Sequence, residues 1–152
     1  MIKKILLVTT LVMALSVGTA SATSIGLSFG LPFGDGLPGN TDVMLSARFD
    51  GMPFLLGLGF GFDPFQLGIT ADYILVRQNL VNFINFYAGI GGYLGVGDQF
   101  DIGLRIPLAL YAMPLDPLEI FLELSPRIGI DPQTGEFPDV GVQTAFGFRF
   151  HF

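Results

Sequence analysis

Glu119, Glu123 and Arg127 recur at four-residue spacing, and Arg105 precedes them on what reads as the neighbouring extended segment. Alternate side chains of a strand point to opposite faces, so a spacing of four keeps all three on one face, roughly 13 Å apart. Such a row suits two kinds of chemistry: a relay for protons or small solutes, or a set of ion pairs that plugs an interior. The plug is the expectation, because stripping a buried ion of its partner typically costs ~3–5 kcal/mol. Alternation puts Arg48, Asp72, Asp101 and Arg149 on the same kind of face. The expected interior charge network is therefore Arg48, Asp72, Asp101, Arg105, Glu119, Glu123, Arg127 and Arg149.

Three other patterns could do chemistry. His151 is the lone histidine, and a serine relay would need a hydroxyl beside it, for which Ser24 is the loose candidate. No catalytic role is expected, because nothing else in the chain completes such a site. Asp35, Asp63, Asp98, Asp131, Glu136 and Asp139 fall in connections or at strand tips without a basic residue among them. Carboxylate oxygens favour hard divalent cations, so this acidic rim is a candidate cation site, against the plainer reading of solvated loops. No firm metal site and no cofactor are expected, since Gly-Asp-Gly and Asp-Pro-Gln-Thr-Gly-Glu are not calcium-loop motifs. Gly89-Ile90-Gly91-Gly92 is followed by no helix, which makes it strand glycine and not a phosphate loop.

The elements that must position these residues are strands. Strict apolar alternation runs through eight segments, over residues 24–33, 42–50, 54–62, 65–75, 83–94, 101–111, 118–127 and 140–152. Turn chemistry separates them at Gly34-Asp35-Gly36, Asp50-Gly51, Asp63-Pro64, Gln78-Asn79, Gly97-Asp98, Pro114 to Pro117, and Asp131-Pro132 through Pro138-Asp139. Strands in series with short joints predict antiparallel hairpins. The last segment sets Phe146, Phe148, Phe150 and Phe152 on one face and Gly147, Arg149 and His151 on the other.

One face of nearly every segment is apolar, and the other carries glycine, serine and the charges. Before the first segment, Lys3-Lys4, an apolar run from Ile5 to about Val17 and Ala20-Ser21-Ala22 read as a cleavable secretory leader over residues 1–22. Removing it leaves five arginines, no lysine and 13 acids, a formal charge of −8. A nucleic-acid partner is disfavoured by that balance, and the absence of cysteine excludes thiolate chemistry and disulfides. A soluble barrel needs a charged outer coat, which a lysine-free chain supplies poorly. The faces therefore predict lipid outside and ions inside. In hydrocarbon every backbone polar group must be paired within the protein, so such a sheet must close on itself.

The stretches Arg105-Ile106-Pro107-Leu108-Ala109-Leu110-Tyr111 and Pro117-Leu118-Glu119-Ile120-Phe121-Leu122-Glu123-Leu124-Ser125-Pro126, with the aromatic C-terminus, resemble a family of small, functionally unassigned bacterial outer-membrane β-barrel proteins that includes spirochaete members. The mature chain as a whole is similar to OmpA- and OmpX-like barrels. The resemblance implies that Phe148, Phe150 and Phe152 form the aromatic C-terminal signal read by the outer-membrane assembly machinery.

The expectation is an all-β fold: one closed antiparallel up-and-down transmembrane barrel of eight strands over residues 23–152, in the outer membrane of a diderm bacterium. Its expected partners are outer-membrane lipid, lipopolysaccharide and the assembly machinery, and its expected role is structural or surface-interacting and non-enzymatic. A narrow channel for small solutes or ions is the first alternative. A soluble exported lipid-binding barrel is the second.

Overall fold

The computed structural model describes residues 24–152 except 50, 99 and 132; the expected leader over 1–22 lies outside the described residues. The described chain is all-β, with nine strand segments in a single antiparallel sheet. They are β1 (Ser24–Gly30), β2 (Val43–Arg48), β3 (Phe54–Phe62), β4 (Phe65–Val81), β5 (Ile84–Val96), β6 (Asp101–Arg105), β7 (Leu108–Leu115), β8 (Leu118–Ile130) and β9 (Asp139–His151). Each pairs with its neighbour in sequence or next but one, and β9 returns to β1 through Ser24↔His151 and Phe29↔Phe146, so the pairings form a ring.

The strand expected over 101–111 is two segments, β6 and β7, both lying between β5 and β8. Pro107 has no N–H to give the ladder, which is the reason for the break. Gly89 N–H donates to the Pro107 carbonyl at 3.0 Å and Ile106 N–H to the Pro126 carbonyl at 2.9 Å, carrying the ladder across it.

The alternation read from the sequence sets the two faces. Glu119 and Arg149 are 0 % and 1 % exposed, whereas Leu104 and Phe146 are 59 % and 46 % exposed. Polar and charged side chains are buried within the ring, and large apolar ones cover its outside. The buried apolar groups are small: Leu55, Ile74, Tyr87 and Ala109 in one cluster, and Leu37, Met44 and Ala145 in another.

Three local expectations need correction. The joint expected at Gln78-Asn79 lies inside β4, and the chain turns instead at Asn82, whose φ of 47° is one asparagine tolerates. The Asn79 side-chain amide donates to the Asn82 carbonyl at 2.9 Å and to Asn85 Oδ1 at 3.0 Å, so it braces the hairpin without turning it. The first strand ends at Gly30, short of Phe33. Thr144, which alternation puts on the same face as Phe146 and Phe148, is nevertheless 1 % exposed because residues 33–36 cover it; its hydroxyl donates to the Phe33 carbonyl at 2.8 Å.

The connection after β1 was expected to be a surface loop around Gly34-Asp35-Gly36. It runs inward. A single 3-10 turn at Pro38–Asn40 rests on β4 and β5, on the far side of the ring, with Leu37 and Pro38 buried. Gly39 makes this approach possible: its φ is +69°, and a Cβ there would sit 2.9 Å from Gly95 Cα. The end of the ring carrying this connection, opposite Ser24 and His151, is called the distal end below, and the other the terminal end.

Candidate functional site

The buried polar face assembles into three tiers along β8. At the terminal end Glu119 accepts from Arg149 Nη1 at 2.7 Å on Oε1, while its Oε2 lies 3.3 Å from Arg48 Nη2 and 2.8 Å from His151 Nε2. Arg48 Nη2 also lies 3.4 Å from His151 Nε2. Arg48 and His151 thus approach the same carboxylate oxygen. Arg149 also lies over the Phe121 ring, 3.8 Å from its centroid, a stacking that suits a planar guanidinium.

One spacing further along, Glu123 is paired with Arg105, accepts from Tyr87 Oη at 2.7 Å and from Ser125 Oγ at 2.9 Å. Arg105 also donates to Gln143 Oε1 at 2.9 Å, and its Nε lies 3.1 Å from Asp72 Oδ1 without hydrogen-bond alignment. The cavity at this tier holds about 20 Å³, space for about one water. Glycine makes room for the ions. A Cβ on Gly91 would collide with Asp72, and one on Gly57 with the Thr70 hydroxyl and Met44.

At the distal end Arg127 Nε donates to Asp35 Oδ2 at 2.8 Å and its Nη1 to Asp139 Oδ2 at 2.7 Å and to Tyr93 Oη at 3.1 Å. Asp101 is half-buried near this tier, with Oδ1 lacking a hydrogen bond. All eight charges expected in the interior thus sit on the inner face, divided among tiers.

The acidic rim is not brought together. Asp35 and Asp139, expected to lack a counter-charge, share Arg127; the reason is the inward course of the chain after β1, which carries Asp35 to β8. Asp63, Asp98 and Glu136 are exposed on separate connections, and Asp131 accepts from the backbone N–H groups of Gln133 and Thr134. Those two donors hold the Asp131 carboxyl below its ordinary range. Among the described residues no group of three or more metal-ligating side chains gathers.

Ser24 lies opposite His151 in register, but its Oγ makes no hydrogen bond and the histidine Nε2 is committed to Glu119. The hydroxyl and imidazole do not form a relay. Phe150 and Phe152 are exposed on the outer face and Phe148 is partly so.

Tyr87, Ser125, Gln143, Ser46 and Tyr93 complete the tiers and were not singled out from the sequence. Each lies on the glycine and charge face, so face membership could have found them; the partnership of Asp35 with Arg127, 92 positions apart, carried no local signal. Comparison with protein-family models, with curated proteins and with solved structures gives no match to this chain.

Proposed function

We propose that this chain is an integral β-barrel protein of the outer membrane of a diderm bacterium, with a structural or surface-interaction role and no enzymatic activity. Counting β6 and β7 as one strand interrupted at Pro107, the ring is an eight-stranded up-and-down barrel. One observation carries the reading: the distribution of polarity is inverted, with ions buried and Leu, Ile and Phe exposed around the ring. In water such a surface would aggregate, because contiguous apolar patches beyond a few hundred Å² mark an interaction or membrane surface. In a bilayer it is the stable arrangement. The length agrees, since 13 residues of β8 or β9 reach ~43 Å along the strand and about 30 Å across a membrane when tilted by ~45°.

A soluble lipid-binding barrel needs the opposite faces, apolar within and charged without. The tier of Arg105, Glu123 and Gln143, with about 20 Å³ of free space, supports a filled interior over a channel. On this reading outer-membrane lipid and lipopolysaccharide surround the barrel, and Phe148, Phe150 and Phe152 engage the assembly machinery.

Cell fractionation tests it. The chain should sediment with the outer membrane, resist extraction by alkaline carbonate and migrate differently in gels before and after boiling. Recovery in the soluble periplasmic fraction without detergent would sink the proposal. Planar-bilayer recordings of the purified chain should show no discrete openings; steady unitary currents would favour the channel.

A further inference from the structure

At the terminal end the interior opens into a basin of about 640 Å³ with a cationic wall. Arg48 and Arg77 both line it, beside His151 and Tyr111. Among the described residues the carboxylate lining the basin is Glu119, already divided among Arg48, Arg149 and His151. Arg77 forms none of the ion pairs found among the described residues.

A β-bulge puts Arg77 there. Asp72 and Ile74 face inward, so unbroken alternation would turn Val76 in and Arg77 out. The register of β4 on β5 slips between Ile74 and Val76, after which Arg77 pairs with the buried Tyr87 and Val76 with Ala88. Bulges are a common means of re-aiming a side chain at a functional rim. This one makes Arg77 the fifth arginine on the inner face, beyond the end of β3, where the β4–β5 hairpin overhangs the basin.

Two guanidinium groups in one basin repel each other, and an oxyanion between them is attracted by both. The planar fork of arginine matches phosphate oxygens two at a time. Met52, Leu75 and Met113 line the same basin, and Leu75 and Met113 are also exposed on the outside, so the cavity joins a charged pole to an apolar surface. We infer that this basin binds a phosphate oxyanion, that of a phospholipid headgroup in the leaflet at the terminal end, held by Arg77 and Arg48. This rests on the membrane reading above.

The test is native mass spectrometry of the folded full-length mature chain in neutral detergent, titrated separately with phosphatidylglycerol, diacylglycerol and inorganic phosphate. Phosphatidylglycerol should bind, diacylglycerol should not, and inorganic phosphate should compete for the site more weakly than the lipid. Arg77→Gln should weaken lipid binding at least tenfold, and Arg77→Lys, which keeps the charge and loses the fork, several-fold. Gel migration before and after boiling checks that each variant is folded; if Arg77→Gln fails that check, Arg77→Lys carries the comparison. Equal binding of phosphatidylglycerol and diacylglycerol, or lipid binding indifferent to both substitutions, would overturn the inference. Inorganic phosphate bound through Arg77 with no lipid binding would overturn the lipid assignment in favour of free phosphate. A chain that fractionates as soluble yet binds phosphate through Arg77 would overturn the membrane reading and leave the anion basin standing.

Discussion

Glu119 is fully buried and has two arginines and a histidine around it, so its charge holds together two guanidinium groups that would otherwise repel. Glu119→Gln keeps the shape and removes the charge, leaving Arg149 buried without the carboxylate it pairs with. Breaking one partner of a buried pair typically costs ~3–5 kcal/mol. Urea titration of the folded protein should show a loss of that size, whereas Glu136→Gln, on the exposed connection before β9, should stay within ~0.5 kcal/mol. Equal effects would mean that the network contributes little. At this scale the sequence was informative about membership and silent about partners. The four-residue spacing along β8 placed Glu119, Glu123 and Arg127 on one face, but no local pattern could say that Glu119 takes Arg149 and Arg48 while Glu123 takes Arg105. Those choices depend on which strands are neighbours around the ring and on their stagger.

The connections show how far a segment's behaviour departs from its composition. Gly34-Asp35-Gly36 has the residues of a solvent turn, yet the chain beyond it crosses the mouth of the ring and rests Gly39 on Gly95. Gly39→Ala meets both a left-handed backbone and a blocked Cβ, so it should cost ~1–3 kcal/mol. Gly51→Ala has the same sign of φ and open space around the Cβ, so it should cost less in the same unfolding assay. A similar loss at both sites would remove the close approach as the cause. The connection before β9 is ordered in a different way, by Asp131 accepting from Gln133 and Thr134 N–H groups. Its carboxyl is held below the ordinary range, so the bonded turn is favoured above the ordinary Asp pKa and loses that support as pH falls through the lowered value. Amide proton shifts of Gln133 and Thr134, followed by NMR, should therefore move together with a midpoint below that of a free aspartate. A midpoint at the free value would show that the contact does not select the charged form. Alternation made the strands legible, but strand ends were less so: β4 runs past Gln78-Asn79 because Asn79 braces the hairpin and Asn82 supplies the turn.

For the molecule as a whole, the inverted polarity makes its surroundings part of its stability. Leu122 lies at the middle of β8 on the exposed face, and Val140 near the start of β9. If a bilayer covers that face, Leu122→Arg should cost ~2–4 kcal/mol and Val140→Arg about 0–1, because the penalty for a charge falls from midplane to interface. Folding into vesicles measures both, and two equally mild effects would be the behaviour of a surface in water. Residue order sets the period-two pattern, hence strands, and the chemical contrast of their faces, because side-chain direction in a strand depends only on position along it. It also determined that Phe146, Phe148, Phe150 and Phe152 share a face opposite Arg149 and His151. Tertiary structure alone decided that β9 returns to β1, that Pro107 divides a strand without breaking the ring, that Asp35 reaches Arg127, and that a bulge turns Arg77 inward. Each of these depends on register between segments distant in the chain. Register is set by closure of the ring and the packing of its interior, which no stretch of sequence contains alone.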